Sequence, residues 1–114
     1  MIQIYHNTRC SKSREALRLI QEQGIDHEVI EYLKKTPSVE EFKKLLAKLN
    51  FKPEQLLRKD EKLYKEKLKQ LNLSDEEWIN IMLKNPELIE RPIIVKGNKA
   101  VVGRPVERVI ELLK

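Results

Sequence analysis

Cys10 is the only cysteine in the chain, and its neighbours are His6, Asn7, Thr8, Arg9, Ser11, Lys12, Ser13 and Arg14. None of these is apolar, which argues against a small hydrophobe packed into a core. The reactive form of cysteine is the thiolate. Arg9, Lys12 and Arg14 place positive charge close to the sulfur and so favour that form. The chemistry such a group offers is nucleophilic or redox attack; the plain alternative is an incidental surface thiol. A lone cysteine closes no intramolecular disulfide, and with two histidines in the chain it is a poor ligand set for structural zinc. No metal is expected.

The elements around Cys10 decide between those readings. Ile2-Gln3-Ile4-Tyr5 alternates and predicts a strand. Residues 6–11 are polar and predict a loop. From Ser13 onward, Ala16, Leu17 and Ile20 fall at helical spacing until Gly24 stops the run. Cys10 then lies where strand passes into helix. There the positive end of the helix dipole and its unpaired N–H groups favour a thiolate. Residues 27–33 include Val29, Ile30 and Tyr32 and predict a second strand, which completes a βαβ unit.

The middle of the chain predicts helices. Ser38 with Glu41 and Ser74 with Glu77 have the spacing of capping boxes. The first precedes the stripe Phe42, Leu45, Leu46 and Leu49; the second precedes Trp78, Ile81, Met82 and Leu83, and Pro86 ends that helix. Pro53 opens a short helix containing Leu56 and Leu57. Tyr64, Leu68 and Leu71 suggest another helical piece. Residues 92–96 and 100–102 predict two strands joined by a Gly97-Asn98 hairpin turn. Pro105 opens a last helix bearing Val106, Val109, Ile110, Leu112 and Leu113. The order βαβ, helices, ββα is the plan of a thioredoxin-like α/β domain. The expectation is one domain over residues 1–114 with a helical insertion at about 37–86.

Composition fits a folded chain of 114 residues, with 40% hydrophobic and 36% charged residues. No apolar run approaches the ~20 residues that span a bilayer. The first residues show no basic leader followed by an apolar stretch, so a cytoplasmic location is expected. The net charge is +5, and the excess lies in residues 34–69. Those lysines alternate with glutamates and leucines at helical spacing, the pattern of a solvated face. Aromatic residues are 5% of the chain and offer little on which to stack bases, so nucleic acid is not expected as a partner. Nor is a membrane, and the chain is expected to act as a monomer.

Four motifs occur in order: His6-Asn7-x-x-Cys10, Leu56-Leu57-Arg58, Glu90-Arg91-Pro92-Ile93-Ile94-Val95 and Gly103-Arg104-Pro105. Together they resemble the glutaredoxin-linked arsenate reductase family, in the branch often labelled "arsenate reductase-like". The resemblance runs from the first strand to the last helix. It implies a thioredoxin-like fold, a catalytic Cys10, and Arg58, Arg91 and Arg104 as ligands of the substrate oxyanion. It also implies a cis-proline at Pro92, no bound cofactor, and glutathione with glutaredoxin as the external reductant. Guanidinium suits that role, because its planar donors match tetrahedral oxyanions and it keeps its proton. His6 could tune the Cys10 loop or simply be a satisfied histidine at a strand end. One departure is Thr8, where the enterobacterial pattern has proline.

Two other functions fit the same fold. One is a non-enzymatic regulator that binds the RNA polymerase alpha subunit. Regulators of the redox-switch kind carry Cys-x-x-Cys, whereas Cys10-Ser11-Lys12-Ser13 ends in serine and closes no disulfide. The other is a glutathione-dependent oxidoreductase with a different substrate.

Overall fold

The computed structural model describes all residues 1–114. The chain forms two compact units, one made of residues 1–35 and 91–114, the other of residues 36–90.

The first unit contains the sheet. Strands β1 (Ile2–Tyr5), β2 (His27–Ile30), β3 (Ile93–Lys96) and β4 (Lys99–Val102) lie in the order β2-β1-β3-β4. β1 pairs parallel with β2 and antiparallel with β3, which pairs antiparallel with β4. This is the thioredoxin-like α/β arrangement. The parallel pair needs a crossover, and helix α1 (Ser11–Glu22) supplies it. Ala16 and Ile20 of α1 pack with Ile2, Ile4, Ile94 and Val109 in one buried cluster. The inner strand β3 buries Ile93, Ile94 and Val95, successive residues that alternate between the two faces of the sheet. Gly24 (φ +64) closes α1 and Gly97 (φ +60) makes the β3–β4 turn; both need the left-handed region that glycine enters freely.

Several bounds differ from the sequence pattern. β2 ends at Ile30, not residue 33, because residues 31–35 turn back: the Lys34 and Lys35 N–H groups both donate to the Glu31 carbonyl. The last helix of this unit runs Glu107–Leu113 and starts two residues after Pro105. The Pro105 and Val106 carbonyls accept from Arg108 and Val109 in a turn that leads into it.

The second unit contains α2 (Val39–Leu49) and α3 (Asp75–Lys84). Both capping boxes are formed. Ser38 Oγ accepts from the Glu41 N–H at 3.2 Å, and Ser74 Oγ accepts from the Glu77 N–H at 3.2 Å. Phe42, Leu45, Leu46 and Leu49 are buried along one side of α2, and Trp78, Ile79 and Met82 along α3. Ile79 replaces Ile81 and Leu83 of the expected stripe, since those two are only partly covered. Pro53 opens a single 3-10 turn, Pro53–Leu56. The expected helix around Tyr64 is one π-helical turn, Tyr64–Leu68, and Leu71 is exposed. No helix of the chain is long and apolar enough to cross a membrane.

Candidate active site

Cys10 caps α1. Its extended backbone (φ −94, ψ 121) ends the loop, and its carbonyl accepts the first helical bond from the Arg14 N–H at 3.0 Å. The loop is held from within. The Cys10 N–H donates to the Asn7 carbonyl at 3.0 Å, and the Arg9 N–H donates to Asn7 Oδ1 at 3.0 Å. Ser13, fully buried, accepts from the Asn7 N–H at 3.0 Å and lies 2.6 Å from His6 Nδ1.

His6 is itself buried, and this burial pulls its pKa below the ordinary value. Nearby Glu31 opposes that shift and Arg14 adds to it. Ser13 Oγ thus takes the Asn7 N–H and shares its other hydrogen bond with His6 Nδ1, tying the end of β1 to the first turn of α1. Ser13 is a site residue that the motif reading passed over as a mere absence of cysteine. Its signal was its position: 13, 16 and 20 form the buried face of α1, and a hydroxyl on such a face needs partners.

Arg91 and Arg104 meet at the sulfur. Arg104 Nη2 donates to Cys10 Sγ at 3.1 Å, and its Nε donates to the Arg91 carbonyl at 2.7 Å. The Arg91 side chain also hydrogen-bonds Cys10. Burial pushes the Cys10 thiol up, but it is outweighed. The Ser13 N–H, the Arg91 hydrogen bond, the Arg104 charge and the Lys12 N–H all favour the thiolate, and the pKa falls below the ordinary thiol value. The sulfur makes no ideal capping bond to the helix, so the arginines and nearby N–H dipoles act together. The rate of Cys10 alkylation should therefore stay on its thiolate plateau below the ~8.5 of a free thiol and fall only as pH drops through the depressed value. Iodoacetamide kinetics against pH measure this; a midpoint at or above the free-thiol value contradicts it.

The backbone beneath the arginines is tightly packed. The Arg91–Pro92 and Arg104–Pro105 peptide bonds are both cis, and Pro92 is fully buried. The Gly103 N–H donates to the Pro92 carbonyl at 2.8 Å. A methyl on Gly103 would lie 2.9 Å from Pro92 Cγ and 3.0 Å from both Ile94 Cδ1 and Val109 Cγ2. Those neighbours are core atoms with little room to yield. Gly103→Ala should cost about 1–3 kcal/mol, the usual cost of overpacking. Urea denaturation checks this, and an unchanged midpoint would mean that the segment adjusts freely.

Arg58 belongs to the second unit. Its side chain is 13% exposed and faces Asp60 at 3.4 Å, Glu61 at 3.8 Å and Glu90 at 3.4 Å. Its N–H donates to the Leu88 carbonyl at 2.6 Å, beside the Leu57–Ile89 bridge. The backbone around it is thus anchored and its charge is balanced by carboxylates.

A cysteine at a helix N-terminus with two guanidinium groups on its sulfur has the donors that an oxyanion could use. Residues 5–112 match the model of the ArsC family. The chain belongs to the ArsC family. Among ArsC relatives, the uncharacterized protein YfgD of Escherichia coli K12 is 45% identical, over 98% of this chain and 96% of its own. An arsenate reductase of Neisseria meningitidis is 41% identical, over 98% of this chain and 97% of its own. The solved arsenate reductase of Vibrio cholerae superposes with a TM-score of 0.91 at 47% identity, covering 96% of this chain and 95% of that one.

Proposed function

We propose that the chain reduces arsenate to arsenite, with Cys10 as the nucleophile and an external thiol as the reductant. The observation that carries this reading is the pair of guanidinium groups on the Cys10 sulfur, one of them Arg104 at 3.1 Å. A structural cysteine has no use for such a setting. A thiolate that attacks an anion needs it twice, to lower its own pKa and to neutralise the incoming charge.

Cys10 thiolate attacks arsenic(V), a S–As bond forms, and one arsenate hydroxyl takes a proton from solvent and leaves as water. Arg91 and Arg104 hold the remaining oxygens and take up the charge that develops on them. An outside thiol then attacks the Cys10 sulfur. The S–As bond breaks with its electron pair on arsenic, which leaves as arsenite, and Cys10 is left in a mixed disulfide. A second thiol releases Cys10 and completes the disulfide of the two reductant molecules. One cysteine in the chain requires that both reducing equivalents come from outside. Glutathione, with glutaredoxin to clear the mixed disulfide, fits this need in a reducing cytoplasm.

By the same resemblance Arg58 is the third oxyanion ligand, and arsenate competes with Asp60, Glu61 and Glu90 for it. His6, through Ser13, keeps the loop in shape. The fold is read as one thioredoxin-like domain with the helices as its insertion, active as a monomer, because Cys10, Arg91 and Arg104 come from one chain. The test is arsenite formation from arsenate and glutathione, with and without glutaredoxin. Arsenite in proportion to thiol consumed supports the reading; thiol oxidation that is independent of arsenate points to another substrate.

A further inference from the structure

Arg58, in the second unit, carries one positive charge among three carboxylates, and the three are not alike. Glu90 faces Nε, on the stem side of the guanidinium, at 3.4 Å. Its segment is tied to that of Arg58. The Arg58 N–H donates to the Leu88 carbonyl at 2.6 Å and the Glu90 N–H to the Leu56 carbonyl at 2.8 Å, on either side of the Leu57–Ile89 bridge. Leu56, Leu57, Leu88 and Ile89 are all buried, so Glu90 and Arg58 stand on one apolar base. Asp60 and Glu61 instead follow Arg58 in a turn. Asp60 faces Nη2 at 3.4 Å and Glu61 faces Nη1 at 3.8 Å, whereas a tight charge-assisted bond is about 2.7–2.9 Å. The Asp60 side chain is 69% exposed and that of Glu90 28%.

Nη1 and Nη2 form the fork that one oxyanion can bridge. In this structure two loosely held carboxylates occupy it, and the excess of negative charge around it repels an anion. We propose that Asp60 and Glu61 are an anion gate on Arg58. They hold its two terminal nitrogens until a tetrahedral oxyanion displaces them, and the Glu90 pair on Nε is left in place. Of the three carboxylates that compete for Arg58, two are therefore built to yield. The gate lowers oxyanion affinity, because part of the binding energy goes into breaking two ion pairs. The proposal rests on the reading of Arg58 as a ligand of the oxyanion.

The probe is sulfate, a tetrahedral oxyanion that a thiol does not reduce, so binding is read without turnover. The quantity measured is the sulfate concentration that halves Cys10 alkylation by iodoacetamide, at constant ionic strength. In Asp60→Asn/Glu61→Gln it should fall about fivefold, the size expected of two exposed ion pairs. Asp60→Asn alone should lower it about twofold, and stands in if the double variant does not fold. In Arg58→Gln the concentration should rise, and adding Asp60→Asn/Glu61→Gln to that variant should change it no further. The control Glu40→Gln/Asp75→Asn removes the same charge from the first turns of α2 and α3 and should leave it unchanged. No fall in the gate variant overturns the proposal, as does an equal fall in the control or in the Arg58→Gln background; Arg58 then still stands as a ligand. Arg58→Gln without effect, or sulfate that protects no variant, overturns the reading of Arg58 and the gate with it.

Discussion

Cys10→Ser should lower arsenate reduction by at least about three orders of magnitude while leaving the fold intact. Serine is close to cysteine in size, and residue 10 is only partly buried, so its exchange creates no large cavity. The loop bonds from the Cys10 backbone to Asn7 and Arg14 do not involve the sulfur and survive. What is lost is the nucleophile, because a serine hydroxyl without a base to activate it is a weak one at neutral pH. Arsenite production and thermal denaturation, measured on the same preparation, check both halves. Retained activity would place the chemistry elsewhere; loss of the fold would make the activity loss uninformative, and Cys10→Ala then serves as the second variant.

Arg91→Lys and Arg104→Lys should each reduce kcat/KM for arsenate about a hundredfold, in the range found when one donor to a developing negative charge is removed. Lysine keeps the charge, so a purely electrostatic role would predict a small effect. The geometry predicts a large one. Arg104 makes two bonds in different directions, Nη2 to the sulfur at 3.1 Å and Nε to the Arg91 carbonyl at 2.7 Å. An ammonium group lacks that planar fork. Arg104→Lys keeps the charge that is among the causes of the lowered Cys10 pKa, so the alkylation profile should shift little while kcat/KM falls. Steady-state kinetics with arsenate varied, together with the alkylation profile, separate the two effects. Near wild-type kcat/KM in both variants would contradict the assignment of these arginines to the oxyanion.

Much of this was legible in the sequence because it lies in local signals. The capping boxes at Ser38 and Ser74 are three-residue patterns, and the Phe42-to-Leu49 stripe is a period, so neither needs tertiary information. The Cys10 loop was legible for the same reason: polar residues between an alternating strand and a helical period leave the sulfur at a helix start. What was not legible depends on contacts distant in sequence. That Arg104 reaches Cys10 follows from the β1–β3–β4 register, and single-sequence patterns do not state register. Ser13 looked like the end of a Cys-x-x-Ser string, whereas its hydroxyl ties His6 to Asn7 inside the fold. Gly103 carried no turn signal, because the close approach of Pro92, Ile94 and Val109 alone demands it. Arg58 was legible as a motif residue, but its three carboxylate partners were not, since Glu90 meets it only through the Leu57–Ile89 bridge.

The central claim is that arsenic becomes bonded to Cys10 between Arg91 and Arg104. Diffraction at the arsenic absorption edge from a crystal soaked in arsenate without thiol tests it most directly. The account predicts an anomalous peak at single-bond distance from Cys10 Sγ, with oxygens on the guanidinium groups of Arg91 and Arg104. Arsenic bound elsewhere, or none at Cys10 in crystals whose sulfur is still a free thiol, would contradict it.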